Sequence, residues 1–194
     1  MKIIGLTGSI GMGKSVTARL LRVLKVPVFD SDACVHQLLK GDARADIRRN
    51  FPTAWNRTSQ SVDREALARI IFSDPVAKAR LESILHPLVW AEQQRFIAKC
   101  RRAGRRTVVL DIPLLYESGR DRICSKTICV TAPSFLQKSR VLSRKGMNSE
   151  KYKAILDSQM PDHDKRLLSD FVVPTGLGRA FTLQKLKKIL HSLS

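Results

Sequence analysis

Residues 8–15 read GSIGMGKS and follow directly on the apolar run KIIGLT. No other stretch constrains the fold as tightly. A short apolar run that breaks into glycine is expected of a strand buried on both faces of a parallel sheet. Gly8, Ser9, Ile10, Gly11, Met12, Gly13, Lys14 and Ser15 fit the pattern G-x-x-x-x-G-K-[ST]. Glycines at this spacing let successive backbone N–H groups curl around phosphate oxygens without a Cβ in the way. A helix starting near Lys14 adds the positive end of its dipole. The stretch from Gly8 to Val16 is therefore expected to bind a nucleoside triphosphate such as ATP. Lys14 would reach the β- and γ-phosphates, and the Ser15 hydroxyl would ligate Mg²⁺. The loop does not choose among switches, motors and small-molecule kinases. A guanine-reading N-K-x-D is absent, which argues against a GTPase.

Further along, strand and helix patterns alternate. Residues 14–25 carry Val16, Leu20, Leu21, Val23 and Leu24 at helical spacing, VPVFD is a second short strand ending on Asp30, and 31–40 look helical. Residues 41–103 hold no convincing strand and are punctuated at Gly41, Pro52, Pro75 and Pro87. Their longest helix is expected from Pro87 to about Ala103, with Gly104 as its exit. The α/β pattern resumes with TVVLDI (107–112), KTICVTA (126–132) and DFVV (170–173), with polar helices over 134–168 and a closing amphipathic helix over 179–192. Such an order predicts an α/β fold: a doubly wound parallel sheet of about five strands with its ligand at their carboxyl ends. The helical insertion suits a kinase that encloses a second substrate and excludes water.

The 194 residues suffice for one domain and an insertion, and no apolar run approaches the roughly 20 residues that span a bilayer. Glycines and Thr7 interrupt the N-terminal apolar run where a signal peptide would continue, so the expected location is cytoplasmic. Cys34, Cys100, Cys124 and Cys129 lack C-x-x-C spacing, which predicts packed, reduced thiols. The net charge of +18 stands out and implies attraction to polyanions.

Asp30 and Asp32 fall at the carboxyl end of the second strand. A carboxylate there can take the proton of an attacking hydroxyl or hold a water on Mg²⁺, and one of the pair can instead N-cap the next helix. At this point a resemblance emerges. GLTGSIGMGKS, DSD with His36 four residues after Asp32, ILHPLV, DIPLLYESG, QKSRVLSR and QMP…K…SDFV occur in this order over residues 3–178. Together they resemble bacterial dephospho-CoA kinase. The loop is shared by many families, whereas LHP and PLLYE at these distances are much more particular.

The resemblance implies a P-loop kinase that transfers the ATP γ-phosphate to the ribose 3′-hydroxyl of dephospho-CoA, the final step of coenzyme A synthesis. It divides the chain into a nucleotide-binding core (1–32, 105–133 and 169–194), a helical acceptor domain (33–104) and a mobile lid (134–168). Asp32 matches the general base, with Asp30 left as a metal-side group. Thr7 matches the Thr before the loop, and Arg140 and Arg144 match lid arginines that close over the transferring phosphate. His86, Pro87, Leu114, Leu115 and Glu117 match motifs facing the acceptor. Arg140 and Arg144, four apart on an expected helix, would share a face. Asp111 has the place of a Walker-B acid. Ser9, Met12 and Val16 depart from the family's usual small residues or Thr, and DFVVPTG replaces an adenine-side Asn stretch, so no side-chain role passes to Thr175.

Two rivals stay open: a kinase of the same architecture acting on a nucleoside or nucleotide, and a basic P-loop ATPase that binds nucleic acid. Basic runs at 95–106 and 179–188 favour the latter, but aromatic residues make up only 6%, few for stacking platforms. Anionic substrates account for part of the charge and not for all of it. Oligomeric state is not legible.

Overall fold

Buried strands joined only through helices must pair in parallel, because a hairpin turn is too short to hold a helix. In chain order the elements are β1 (Lys2–Thr7), α1 (Lys14–Val23), β2 (Val28–Asp30), α2 (Ser31–Lys40), α3 (Arg44–Asn50), β3 (Trp55–Asn56), β4 (Ser61–Val62), α4 (Arg64–Ser73), α5 (Pro75–Arg102), β5 (Thr107–Asp111), β6 (Lys126–Thr131), α6 (Ser134–Leu142), α7 (Ser149–Asp157), α8 (Asp162–Leu168), β7 (Phe171–Pro174) and α9 (Arg179–Ser192). The computed structural model describes residues 1–193.

Two compact units make up the chain: residues 1–29 with 100–194, and residues 30–99. The first is built on a five-stranded sheet of order β2-β5-β1-β6-β7. β1 lies at its centre, parallel to β5 with Lys2 opposite Thr107, and parallel to β6 with Ile4 opposite Lys126. β6 pairs in parallel with β7. The connections that leave β1 and β6 run to opposite edges of the sheet, which opens a crevice at their carboxyl ends. Ile4, Leu6, Ile128, Val130 and Val173 from the sheet pack with Ala18 and Leu21 of α1 and Leu186 and Ile189 of α9. Each such side chain contributes about 1.5–3 kcal/mol on full burial.

Helix α1 stops in a Schellman turn. Lys25 N–H donates to the Arg22 carbonyl (3.0 Å) and Val26 N–H to the Leu21 carbonyl (3.1 Å). The turn needs a left-handed residue after the cap, and Lys25 supplies it at φ 61. The same stop ends α5, where Gly104 takes the left-handed position at φ 66 and Arg105 N–H donates to the Cys100 carbonyl. Glycine fits that position freely, whereas a residue with a Cβ costs about 1 kcal/mol.

The second unit is helical, its core formed by Leu38, Leu39, Ala43, Ile47, Phe51, Leu67, Leu81 and Leu85. Here two sequence expectations are corrected. The long helix begins at Pro75, and Pro87 lies inside it. The start signal is Asp74-Pro75: the Asp74 carboxylate accepts from Val76 N–H (2.8 Å) and Ala77 N–H (3.1 Å), with Pro at the first helical position. An interior proline costs about 3 kcal/mol. Leu81, Ile84, Leu85, Leu88 and Val89 carry one apolar stripe past it into the core, which outweighs that penalty. Second, β3 and β4 form a small antiparallel hairpin where no strand was expected. Its turn is set by the Asn56 side chain, which accepts from Thr58 N–H and Ser59 N–H. Strands of two residues are too short to show a periodicity.

All four cysteines are free thiols, and burial pushes the Cys124 and Cys129 thiols up to about 12. Among the described residues no helix is long and apolar enough to cross a membrane.

At the start of β7, Asp170 accepts from Thr127 N–H (2.8 Å) and the Thr127 hydroxyl (3.0 Å) and pairs with Lys126 (2.6 Å). Burial alone would raise its pKa, but Lys126 and the two Thr127 donors outweigh it and hold the carboxyl below its ordinary value of 3.8. The folded-state pKa is depressed, so this stabilisation is complete above the ordinary value and is lost as pH falls through the lowered one. Asp170→Asn is expected to cost about 1 kcal/mol at pH 7, the exposed Lys126 adding little. In urea titrations the gap between variant and wild type should close below pH 3.8; a constant gap across pH would refute the assignment.

Candidate active site

The glycine loop leaves β1 at the crevice in a conformation that only its glycines permit. Gly11 has φ 77 and Gly13 φ 93. A Cβ on Gly8 would lie 2.4 Å from the Val130 side chain, one on Gly11 2.9 Å from the Gln137 carbonyl, and one on Gly13 2.8 Å from the Thr175 hydroxyl. Sterics therefore press the loop against β6, α6 and the turn after β7 at once. Gly13 precedes the first residue of α1, so the helix N-terminus opens at Lys14. Among the described residues the backbone N–H groups of Gly11, Gly13 and Lys14 meet no acceptor within the protein. Inward amides at a helix N-terminus are the donor set that phosphate oxygens require.

Side chains hold this shape from several sides. The Thr175 hydroxyl donates to the Met12 carbonyl (2.7 Å). Arg140, on α6, donates to the Thr175 hydroxyl (3.0 Å), the Thr175 carbonyl (2.9 Å) and the Gly11 carbonyl (3.4 Å). Gln137 donates to the Ile10 carbonyl (2.8 Å), and the Gln159 side-chain oxygen accepts from Ile10 N–H (3.0 Å). Both departures noted in the loop are accounted for by position: Met12 is a core residue whose sulfur accepts from Ala132 N–H (3.1 Å), and Ser9 is buried. The Ser9 hydroxyl has no hydrogen-bond partner among the described residues.

Lys14 turns toward the carboxyl end of β5, where its amine lies 2.5 Å from the Asp111 carboxylate. Asp111 is 4% exposed, so the pair sits at low dielectric, where opposite charges hold each other strongly. Asp111 thus lies at the end of β5 within reach of the glycine loop's lysine. Thr7, at the end of β1, is fully buried and donates to the Pro113 carbonyl (3.1 Å).

Below this lies a buried ion pair that the sequence did not announce. Lys165 of α8 is fully buried, 2.8 Å from the Glu117 carboxylate and 3.4 Å from the Pro113 carbonyl. Glu117 also accepts from Met160 N–H (2.9 Å). Burial works to raise the Glu117 pKa, but Lys165 and the N–H donors prevail and it lies below the usual carboxylate value. Within PLLYE, Leu115 is fully buried beneath Gly5, Leu114 is the exposed leucine, and Glu117 is tethered to α8 and its lead-in.

Arg140 and Arg144 do not share a helix face. α6 ends at Leu142, and Arg144 lies in the following turn with its N–H on the Val141 carbonyl. Arg144 is exposed, whereas Arg140 is half-buried against Thr175. In the helical unit, the Asp30 carboxylate caps α2 by accepting from Ala33 N–H (3.0 Å), and Asp32 is exposed in its first turn. His86 and Pro87 are exposed on α5.

Among the described residues no group of three or more His, Cys, Asp or Glu side chains is placed to hold a metal ion. Ser15, exposed on the first turn of α1, could supply a single hydroxyl ligand. That fits Mg²⁺, which is usually held by one or two protein groups together with substrate phosphates.

Sequence reasoning missed Thr175, Gln137, Gln159 and Lys165. Gln137 of QKSRVLSR and the Gln and Lys of the QMP…K stretch left a trace, as parts of motifs without an assigned contact. Thr175→Val removes a donor from Met12 and an acceptor from Arg140. It is expected to lower stability by about 2 kcal/mol and to weaken ATP binding, measured by urea denaturation and calorimetry; unaltered ATP affinity would show that Thr175 does not shape the loop.

Comparison with known proteins fits this geometry. A sequence model of the dephospho-CoA kinase family matches residues 2–177. A curated dephospho-CoA kinase from Rhodopseudomonas palustris (strain BisB18) is 43% identical over 190 residues, covering 98% of this chain and 94% of that protein. A crystal structure from Thermus thermophilus superposes with a TM-score of 0.86 at 36% identity, covering 100% of this chain and 98% of that one. The dephospho-CoA kinase structure from Campylobacter jejuni gives 0.74 at 26% identity, covering 99% and 96%. Matched by the family model over residues 2–177 and by relatives along almost its whole length, the chain belongs to the dephospho-CoA kinase family.

Proposed function

We propose that this chain transfers the γ-phosphate of ATP to the ribose 3′-hydroxyl of dephospho-CoA, yielding coenzyme A and ADP. The family match across residues 2–177 carries the reading, and the Gly8–Ser15 loop supplies the donor site it requires. The enzyme is a phosphotransferase that takes a small-molecule acceptor, and its place of work is the cytoplasm.

The chemistry follows from the residues. A ribose hydroxyl is a poor nucleophile at neutral pH, so Asp32 accepts its proton as the new oxygen–phosphorus bond forms and the bond to ADP breaks. Lys14 moves its charge from Asp111 onto the β- and γ-phosphate oxygens, while the inward amides of the loop hold the donor in line. Arg144, exposed beyond α6, balances charge on the phosphoryl in flight, and Arg140 acts on it from its place against Gly11 and Thr175. Bound at Ser15, with Asp111 and Asp30 on the metal side, Mg²⁺ would neutralise the phosphates. Residues 33–104 take the acceptor, and His86, Pro87, Thr7, Leu114, Leu115 and Glu117 serve its binding. Residues 134–168 act as the lid, over a core of 1–32, 105–133 and 169–194.

Dephospho-CoA incubated with the protein, ATP and Mg²⁺ should gain one phosphate by mass spectrometry. Transfer to a nucleoside with none to dephospho-CoA would overturn the proposal in favour of another kinase of this architecture. Asp32→Asn is expected to lower kcat by about 10²–10⁴ with ATP affinity near wild type; an active Asn variant would remove Asp32 as the base. Lys14→Ala should lower kcat by roughly 10²–10³, the usual loss for one transition-state donor, and wild-type turnover would count against the loop assignment.

A further inference from the structure

The excess positive charge is not spread over the chain. Residues 1–29 with 100–194 contain 24 Lys and Arg against 8 Asp and Glu, a net +16, while residues 30–99 have 11 against 9. Within the first unit half of these acids are committed. Asp111, Glu117 and Asp170 pair with Lys14, Lys165 and Lys126, and Asp162 accepts from Thr131.

The cations, by contrast, gather where the strands begin, at the edge of the sheet away from the glycine loop. Arg101 and Arg102 end α5, and Arg105 and Arg106 lead into β5. Lys2 opens β1, Lys126 opens β6, and Lys25 precedes β2. Lys2 N–H donates to the Arg106 carbonyl (2.7 Å), Lys2 lies opposite Thr107, and Ile4 lies opposite Lys126. Val109 N–H donates to the Pro27 carbonyl, so Lys25 and Arg106 stand two and three residues before that bond on adjacent strands. In the order β2-β5-β1-β6, cations therefore head four neighbouring strands, at steps of about 4.8 Å. Lys25, Arg101, Arg102, Arg105 and Arg106 are all exposed, and among the described residues none of the five has an acidic partner.

Lys25 adds an independent observation. It occupies the left-handed position of a helix stop for which this same chain uses glycine at Gly104. Strain kept at a surface position points to use of the side chain there.

We propose that this edge binds nucleic acid, RNA or DNA, through its phosphate backbone and without reading sequence. Lys2 donates to the Leu193 carbonyl and Lys126 pairs with Asp170, so the unpaired cations gather where β2 and β5 begin. Such a cluster suits a polyanion, and four of its five groups are arginines, whose guanidinium forks match phosphate oxygens. Insertion into a membrane surface would need a broad apolar face. Within five residues of these cations in sequence, the exposed large apolar residues are Met1 and Val23.

The test is fluorescence anisotropy of labelled 20-base-pair RNA and DNA duplexes with the full-length protein across a salt series. Five phosphate contacts predict log K falling against log salt with a slope of about −4.5. Arg101→Gln, Arg102→Gln, Arg105→Gln and Arg106→Gln combined should bring the slope to about −1, with transfer to dephospho-CoA unchanged. Lys25→Gly should raise Tm by about 3 °C while reducing the slope by about 0.9, so that stability and binding move in opposite directions. Saturating ATP should leave the duplex bound. Undiminished binding by the fourfold variant, displacement by ATP, a Lys25→Gly variant without a gain in Tm or without a loss of binding, or association with phosphatidylglycerol vesicles but with neither duplex would each overturn the proposal. Absence of kinase activity with intact duplex binding would refute the proposed function and leave this proposal standing.

Discussion

The sheet-based unit depends on a loop that leaves the amides of Gly11, Gly13 and Lys14 without acceptors in the protein, among the described residues, a conformation the chain would not hold unaided. Its carbonyls must point the other way, toward protein, and each needs a donor there. Thr175 supplies one at Met12, Arg140 one at Gly11 and Gln137 one at Ile10. The hollow is thus made by satisfying its outer side. This explains why residues so far apart in sequence converge on eight positions, and why the turn after β7 is as much part of the site as the glycines are.

A second dependence runs through the link between α7 and α8. Gln159 holds Ile10, Met160 holds Glu117, and Lys165 meets the same carboxylate from α8. A buried ion pair is weak evidence of net stability, because desolvation consumes much of the attraction. Its geometry is another matter: the Gln159 side chain, the Met160 backbone N–H and the Lys165 amine, all within seven residues of chain, tie the loop and the PLLYE segment to a common frame. Movement of the segment between α6 and α8 would therefore be felt at Ile10.

The parallel sheet, the strand–loop–helix at its centre and the carboxylates near β2 were legible because each rests on local chemistry: glycine sterics, apolar runs and strand-end acids. Pro87 misled because proline carries a strong local preference that a continuous apolar stripe overrode. Arg144 misled because helix ends are set by small differences in a few hydrogen bonds. Thr175 gave no signal at all, since a threonine after a short strand has no pattern; only the fold brings it beneath Gly13. The same holds for Lys165, whose burial among charges cannot be read from a run as polar as DHDKR.

The strand order has a consequence for how the chain comes into being. β1 is made first, yet its two neighbours begin at Thr107 and Lys126. During synthesis the opening strand and its glycine loop must wait, unpaired and apolar, while residues 30–99 emerge in full. The glycine loop acquires its shape late, because Arg140 and Thr175 lie 129 and 163 residues beyond the carbonyls they hold. Its form waits on chain that is made long after it.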